Sequence, residues 1–245
     1  METPVYQIIG NFLILLLIPA FFVLAIRSNR KGAQKTFQQI KDIAQHLGLE
    51  FFDLVGVLEQ ASPSVSSEEA AALERVKSSR FLPFLMKMAR VLNYGGMAWK
   101  IEGKYKELNV EISPEFHNQG GKHNRKTAYT RFKVFFPHSL NASLQLQKEG
   151  FFSKIGKTFG AQDIQTGNPD FDGQFIIKGN EEGQILSIFS NPSVQQNLRD
   201  FFERYPQAVV DDSGIHFEKP GILQDEAEYR TILEGMSNVV KAVKS

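Results

Sequence analysis

The stretch MAWKIEGKYKELNVEIS, residues 97 to 113, decides the fold class. Trp99, Ile101 and Tyr105 alternate with polar neighbours, and Leu108, Val110 and Ile112 alternate again after a tight turn. A period of two places one set of side chains on one face of a sheet. The stretch therefore predicts a β-hairpin.

Downstream, residues 114 to 126, PEFHNQGGKHNRK, read as a polar loop. Thr127 to Phe136 then reads as a strand with Ala128, Thr130, Phe132, Val134 and Phe136 on one face. Leu144 and Leu146 mark another strand, and Gly173 to Lys178 a further one closed by Gly179 and Asn180. Two helices, about 181 to 189 and 193 to 204, are divided by Asn191-Pro192, since proline cannot continue a helix. Ala208 to Val210 and Ile215 to Phe217 flank Asp211-Asp212-Ser213-Gly214, a hairpin signature. A helix from about Asp225 to Val243 ends the pattern. Its Tyr229, Ile232, Met236, Val239 and Val243 are spaced three and four apart, with Leu233 and Val240 beside them. Two heptads are short for a coiled coil, so this stripe is expected to close the domain's own sheet. The order predicts an α+β domain, an antiparallel sheet packed with helices.

Upstream of the hairpin, Phe37, Ile40, Ile43, Ala44 and Leu47 are spaced as one helix face, with Gly48 as a stop. Residues 59 to 68, EQASPSVSSE, form a polar linker. Ser67 caps a helix from Glu68 to Lys77, and a second helical piece runs from about Ser79 to Asn93, ending at Gly95-Gly96. The chain thus divides into 1–31, an anchor with a basic juxtamembrane segment; 32–96, a helical linker region; and 97–245, the α+β domain.

The anchor is Val5 to Ile26, VYQIIGNFLILLLIPAFFVLAI, which has no charged residue. At about 1.5 Å per residue it makes a helix about 33 Å long, enough for a hydrocarbon core of about 30 Å. Met1, Glu2, Thr3 and Pro4 offer no positive n-region, and Arg27-Ser28-Asn29-Arg30-Lys31 is no signal-peptidase site, so the span is expected to stay uncleaved. Arg27, Arg30, Lys31, Lys35 and Lys41 follow it, and no basic side chain precedes it. The positive-inside rule puts the N-terminus outside and the remaining domain in the cytoplasm. Gln7 and Asn11 share a helix face, where their amides either bond a partner helix or meet headgroups at the outer interface. Pro19 is a kink point within the span.

Composition narrows the chemistry. The 245 residues carry 28 basic and 27 acidic side chains, a balance that implies no nucleic-acid partner. With no Cys, disulfides, thiolate catalysis and Cys-ligated metals drop out. Phe numbers 21 against one Trp, which suits an aromatic core or a set of partner-binding anchors.

Gly156-Lys157-Thr158 resembles the end of a P-loop, but the nearest upstream glycine, Gly150, is one residue too far, and FFSKI between them is bulky. Asn168, Asp170, Asp172 and Gly173 match the first half of a calcium loop, yet its twelfth position is Gly179 where a bidentate Glu is needed. A turn in which Asp172 accepts backbone hydrogen bonds accounts for the same residues. His117 and His123 share the 114–126 loop with no acidic ligand at metal-site spacing, and no G-x-S-x-G, H-E-x-x-H or Rossmann glycine set occurs. No metal and no cofactor is expected. Residues 79–92 and 150–160 both carry amphipathic spacing that fits either a core helix or a helix lying on lipid.

The segment Gln162-Asp163-Ile164-Gln165-Thr166-Gly167-Asn168-Pro169-Asp170-Phe171-Asp172, followed by Phe175-Ile176-Ile177-Lys178-Gly179, resembles a group of uncharacterised bacterial single-pass membrane proteins with a QDIxTGxxxFDxxFxVKG-like segment. In that group the segment follows a YTxxxVxxP strand, and Tyr129, Thr130, Val134 and Pro137 fit that strand. The resemblance covers roughly residues 97 to 218. It implies a bacterial origin and hence an inner-membrane location, a membrane-anchored cytoplasmic domain and a structural role for Asp163, Thr166, Gly167, Asp170, Asp172 and Gly179, and it supplies no catalytic residue.

Three functions follow as expectations. The first is a membrane-anchored cytoplasmic scaffold or protein-interaction module, with the membrane and a protein as partners and the oligomeric state left open. The second is an enzyme of unfamiliar type using Asp163, Asp170, Asp172 or His123. The third is a lipid or small-molecule binding domain whose Phe side chains line a curved sheet.

Overall fold

The computed structural model describes residues 34–53, 98–118, 126–151 and 163–244. The anchor with Gln7, Asn11 and Pro19, the linker and helices between 59 and 93, His123, and Gly156-Lys157-Thr158 all lie outside the described residues. Among the described residues no helix is long and apolar enough to cross a membrane. The chain divides into two units, 1–41 with 52–100, and 42–51 with 101–245. In the first, residues 34–41 are helical, and the described remainder is extended.

The second unit carries the site. In chain order the described elements are α1 (residues 34–46), β1 (Glu50–Asp53), β2 (Trp99–Tyr105), β3 (Leu108–Asn118), β4 (Lys126–Phe135), β5 (Gln145–Lys148), α2 (Pro169–Asp172), β6 (Phe175–Lys178), α3 (Glu182–Phe189), α4 (Pro192–Arg204), β7 (Val209–Asp211), β8 (Gly214–Pro220) and α5 (Glu226–Lys244), of which the second unit holds residues 42–46 of α1, 50–51 of β1, 101–105 of β2 and all that follows. The strands form one eight-stranded antiparallel sheet, ordered β1-β2-β3-β4-β8-β7-β5-β6. This is the α+β architecture the alternation predicts.

The hairpin of residues 97 to 113 is present as β2 and β3. Its turn is Lys106-Glu107, with φ of 48° and 68°. Two left-handed residues make a type I′ turn, whose twist matches that of the paired strands. Neither residue is the Asn or Gly that this turn favours, so strand pairing fixes it rather than local preference.

The 114–126 loop is shorter than its composition suggests. β3 runs through Pro114 to Asn118, paired with β4 from Val110↔Val134 to Asn118↔Lys126. His117 is thus a strand residue, with Nε2 2.7 Å from Glu218 Oε2 and its ring edge-on to Tyr129. The strand expected from Gly173 starts at Phe175, because α2 occupies the residues just before it.

One row of the register explains the core. Val110, Val134, Ile215, Val210, Leu146 and Ile177 are aligned across six strands, and all are buried. Ile101, Ile112, Phe132 and Phe217 form a parallel row on the same face. α5 covers these rows: Tyr229, Ile232, Leu233, Met236, Val239 and Val240 are fully buried, and Tyr229 meets Phe132 edge-on at 5.2 Å. Val243, counted in the stripe, is only half-buried at the helix end. α4 packs beside α5, where Gly235 lets Phe201 approach; a Cβ there would lie 2.7 Å from Phe201 Cδ2. The opposite row, Glu111, Lys133, His216, Val209 and Gln147, is mostly polar.

β8 is held against β4 by a second close approach. A Cβ on Gly214 would sit 2.1 Å from Val134 O, so only glycine fits at that pairing.

Candidate functional site

The segment from Asp163 to Gly179 links β6 to α4 through a polar network built on local rules. Asn168 caps α2: its backbone is extended, its side chain accepts from Asp170 N at 3.2 Å, and Pro169 takes the first helical position. Gly167, at φ 84°, turns the chain into that cap. Asp172 reaches back across the turn. Its Oδ1 accepts from Thr166 N at 2.9 Å and Thr166 Oγ1 at 2.7 Å, and its Oδ2 from Gly167 N at 3.1 Å.

α4 completes the network through Gln195, which is only 3% exposed. Its Nε2 donates to Phe189 O at 2.8 Å and to Thr166 Oγ1 at 3.2 Å, while its Oε1 accepts from Asn168 Nδ2 at 2.6 Å. Ser190 Oγ donates to Thr166 O. Beneath the network, Phe171 is fully buried and stacks on Phe175 at 4.6 Å, and Phe175 meets Phe202 edge-on. Gly179 belongs to the far end: a Cβ there would lie 2.3 Å from Ile185 Cδ1 and 2.9 Å from Ala142 O.

This arrangement brings Thr166, Gly167 and Asp172 together and leaves the other two carboxylates apart. Asp163 is exposed, 3.7 Å from Lys178 Nζ, and Asp170 is exposed on the outer side of α2. A calcium ion would have to displace three hydrogen-bond donors from Asp172. Among the described residues no cluster of three His, Cys, Asp or Glu side chains is placed to hold a metal.

A second polar cluster lies in the β7–β8 turn. Asp211 accepts from Ser213 N at 2.7 Å, from Gly214 N at 3.1 Å and from the Ser213 hydroxyl, and His216 Nδ1 stands 3.4 Å from its other oxygen. Burial works to raise the Asp211 carboxyl, but His216 and the Ser213 hydroxyl and amide outweigh it and hold the group well below the usual carboxylate range. The order of contacts is wrong for a nucleophilic triad. Ser213 gives its proton to Asp211, not to the imidazole, so no base activates it.

Asp212, next in the chain, reaches another strand. It accepts from Ala142 N, Ser143 N and Leu144 N at 2.9 to 3.0 Å, and its backbone oxygen accepts from Leu140 N. It thereby holds the entry to β5, where Asn141 and Ser143 have positive φ. Sequence reasoning placed Asp212 in a turn and missed this reach, because the partners are about 70 positions earlier. Gln195 left a signal: it is the polar residue on the apolar face of α4, between Val194 and Leu198.

A groove of about 510 Å³ lies between α4 and α5, with Phe201 and Gly235 at its base and Asp200, Glu203, Arg204, Thr231, Glu234 and Asn238 around it. Glu234 is paired with Lys106 at 2.9 Å. Three of the groove's lining side chains, Asp200, Glu203 and Glu234, are acidic and one, Arg204, is basic.

No protein-family model, curated protein or solved structure matches this chain.

Proposed function

We propose that this chain is a membrane-anchored cytoplasmic scaffold or protein-interaction module of a bacterial membrane complex. The observation that carries the reading is the internal use of the polar motif. Asp172, Thr166, Asn168 and Gln195 spend their hydrogen-bonding capacity on one another and on backbone groups, which suits a part that shapes a surface rather than one that turns over a substrate. The charge-free run from Val5 to Ile26 and the basic residues after it support the anchor and the orientation. One integral span leaves the sheet and its helices facing the cytoplasm, free to bind a protein.

Two measurements test this. A reporter fused after Ser245 should be active in the cytoplasm, and a periplasm-only reporter silent; the reverse overturns the orientation. The full chain, purified from native bacterial membranes in mild detergent, should bring a stoichiometric protein partner with it. A chain recovered alone from the soluble fraction overturns both parts of the reading.

A further inference from the structure

Arg199 stands one helical turn beyond Gln195 on α4, next to the motif but outside its network. Its guanidinium carbon is 5.6 Å from the centre of the buried Phe171 ring. Nε and Nη2 are shielded from solvent, and neither has a hydrogen-bond acceptor. Glu203, one turn further along the helix, and Asp170, beside Phe171, make no ion pair with it. Every other polar side chain of the network next to it is satisfied.

That contrast needs an explanation. An N–H shielded from water without an acceptor is costly, and more so on a cation. The face of a Phe ring returns only part of that cost. Nε and Nη2 together form the side-on edge of the guanidinium plane, the edge that takes a carboxylate or a phosphate through two parallel hydrogen bonds. The residue as a whole is half-buried, so an oxyanion that takes Nε and Nη2 requires the guanidinium to turn outward from this position.

We propose that Arg199 is the receptor of an oxyanion site beside the 163–172 segment, with Phe171 as the platform under the guanidinium. The ligand chemistry is a group with two negatively charged oxygens on one centre, a phosphoryl or a carboxylate. The site is independent of the scaffold reading, since it requires no partner protein.

The test uses the full chain in detergent, titrated with sodium phosphate or sodium acetate against sodium chloride at matched ionic strength. The Arg199 Nε–Hε resonance is assigned by its loss in Arg199→Lys and followed through each titration, alongside thermal unfolding. The expected result is a saturable shift of that resonance and a rise in melting temperature with at least one oxyanion and not with chloride. Affinity should fall at least tenfold in Arg199→Lys and vanish in Arg199→Met. Response to phosphate alone identifies a phosphoryl ligand, and equal or stronger response to acetate a carboxylate. The proposal is overturned if neither oxyanion moves the resonance, or if parent and Arg199→Met melt alike at every concentration. It is also overturned if Asp170→Asn or Glu203→Gln shifts the resonance as an oxyanion should, because the guanidinium then has an internal partner.

Discussion

Replacing Asp172 by Ala removes three hydrogen bonds from one turn, and their surroundings set how much each matters. Gly167 is exposed, so its amide recovers a bond to water at little cost. Thr166 is half-buried under Gln195 and Ser190, so its amide and its hydroxyl proton are left without an acceptor. A bond to a charged acceptor contributes about 1.5 to 3 kcal/mol, and a re-solvated one about 0.5 kcal/mol. Two bonds of the first kind and one of the second sum to about 3.5 to 6.5 kcal/mol. For a chain of this size each kcal/mol moves the melting temperature by about 2 to 4 °C, so Asp172→Ala should melt about 7 to 26 °C below the parent. Asp172→Asn keeps an oxygen for Thr166 N and should lose about half as much. Thermal unfolding of the full chain by circular dichroism, with and without calcium, measures both. An unchanged melting temperature for Asp172→Ala would refute the argument. So would a calcium-dependent rise in the parent that the variant lacks, since Asp172 would then be a ligand.

Ile232→Ala in α5 should cost about 2 to 5 kcal/mol through lost burial and a residual cavity, because the side chain is fully buried within its own domain. Sedimentation beside thermal unfolding checks it: unchanged melting with a change from oligomer to monomer would mean the stripe serves self-association. Asp212→Ala should cost about 2 to 4 kcal/mol, since three consecutive amides at the entry to β5 lose one carboxylate, and hydrogen exchange should quicken at Ala142 to Leu144 first. Asp211 makes the fold acid-sensitive. A depressed carboxyl contributes stability that is fully present above the unfolded value of about 4 and is lost as pH falls through the folded value. Denaturant unfolding from pH 7 to pH 3 should show the onset of this loss below about pH 4, and Asp211→Asn should flatten the profile there; parallel profiles would remove Asp211 from the account.

The elements legible in the sequence were those whose period is local. Alternation in residues 97 to 113 and 127 to 136, the Asn191-Pro192 break and the stripe from Tyr229 onward each carry their signal within one element. Glu50–Asp53 escaped because two adjacent phenylalanines do not alternate, and Pro114 hid the continuation of β3 because proline usually ends a strand. The contacts of Asp212, Gln195 and Arg199 are set by strand order. No local pattern places residue 212 beside 142, or residue 199 over the ring of residue 171.

Strand order also carries a consequence for synthesis. β8 lies between β4 and β7, and the β7–β8 hairpin joins the β2–β4 meander to the β5–β6 pair. Until residues 209 to 220 have left the ribosome, the earlier strands form two separate half-sheets, each with an open edge. Such edges are templates for pairing with other chains. The nascent chain is therefore most exposed to misassociation late in translation, after most of its strands exist and before the one that joins them. A stall or frameshift in that window should yield an aggregating product, whereas one after Pro220 leaves a continuous sheet that lacks only its covering helix.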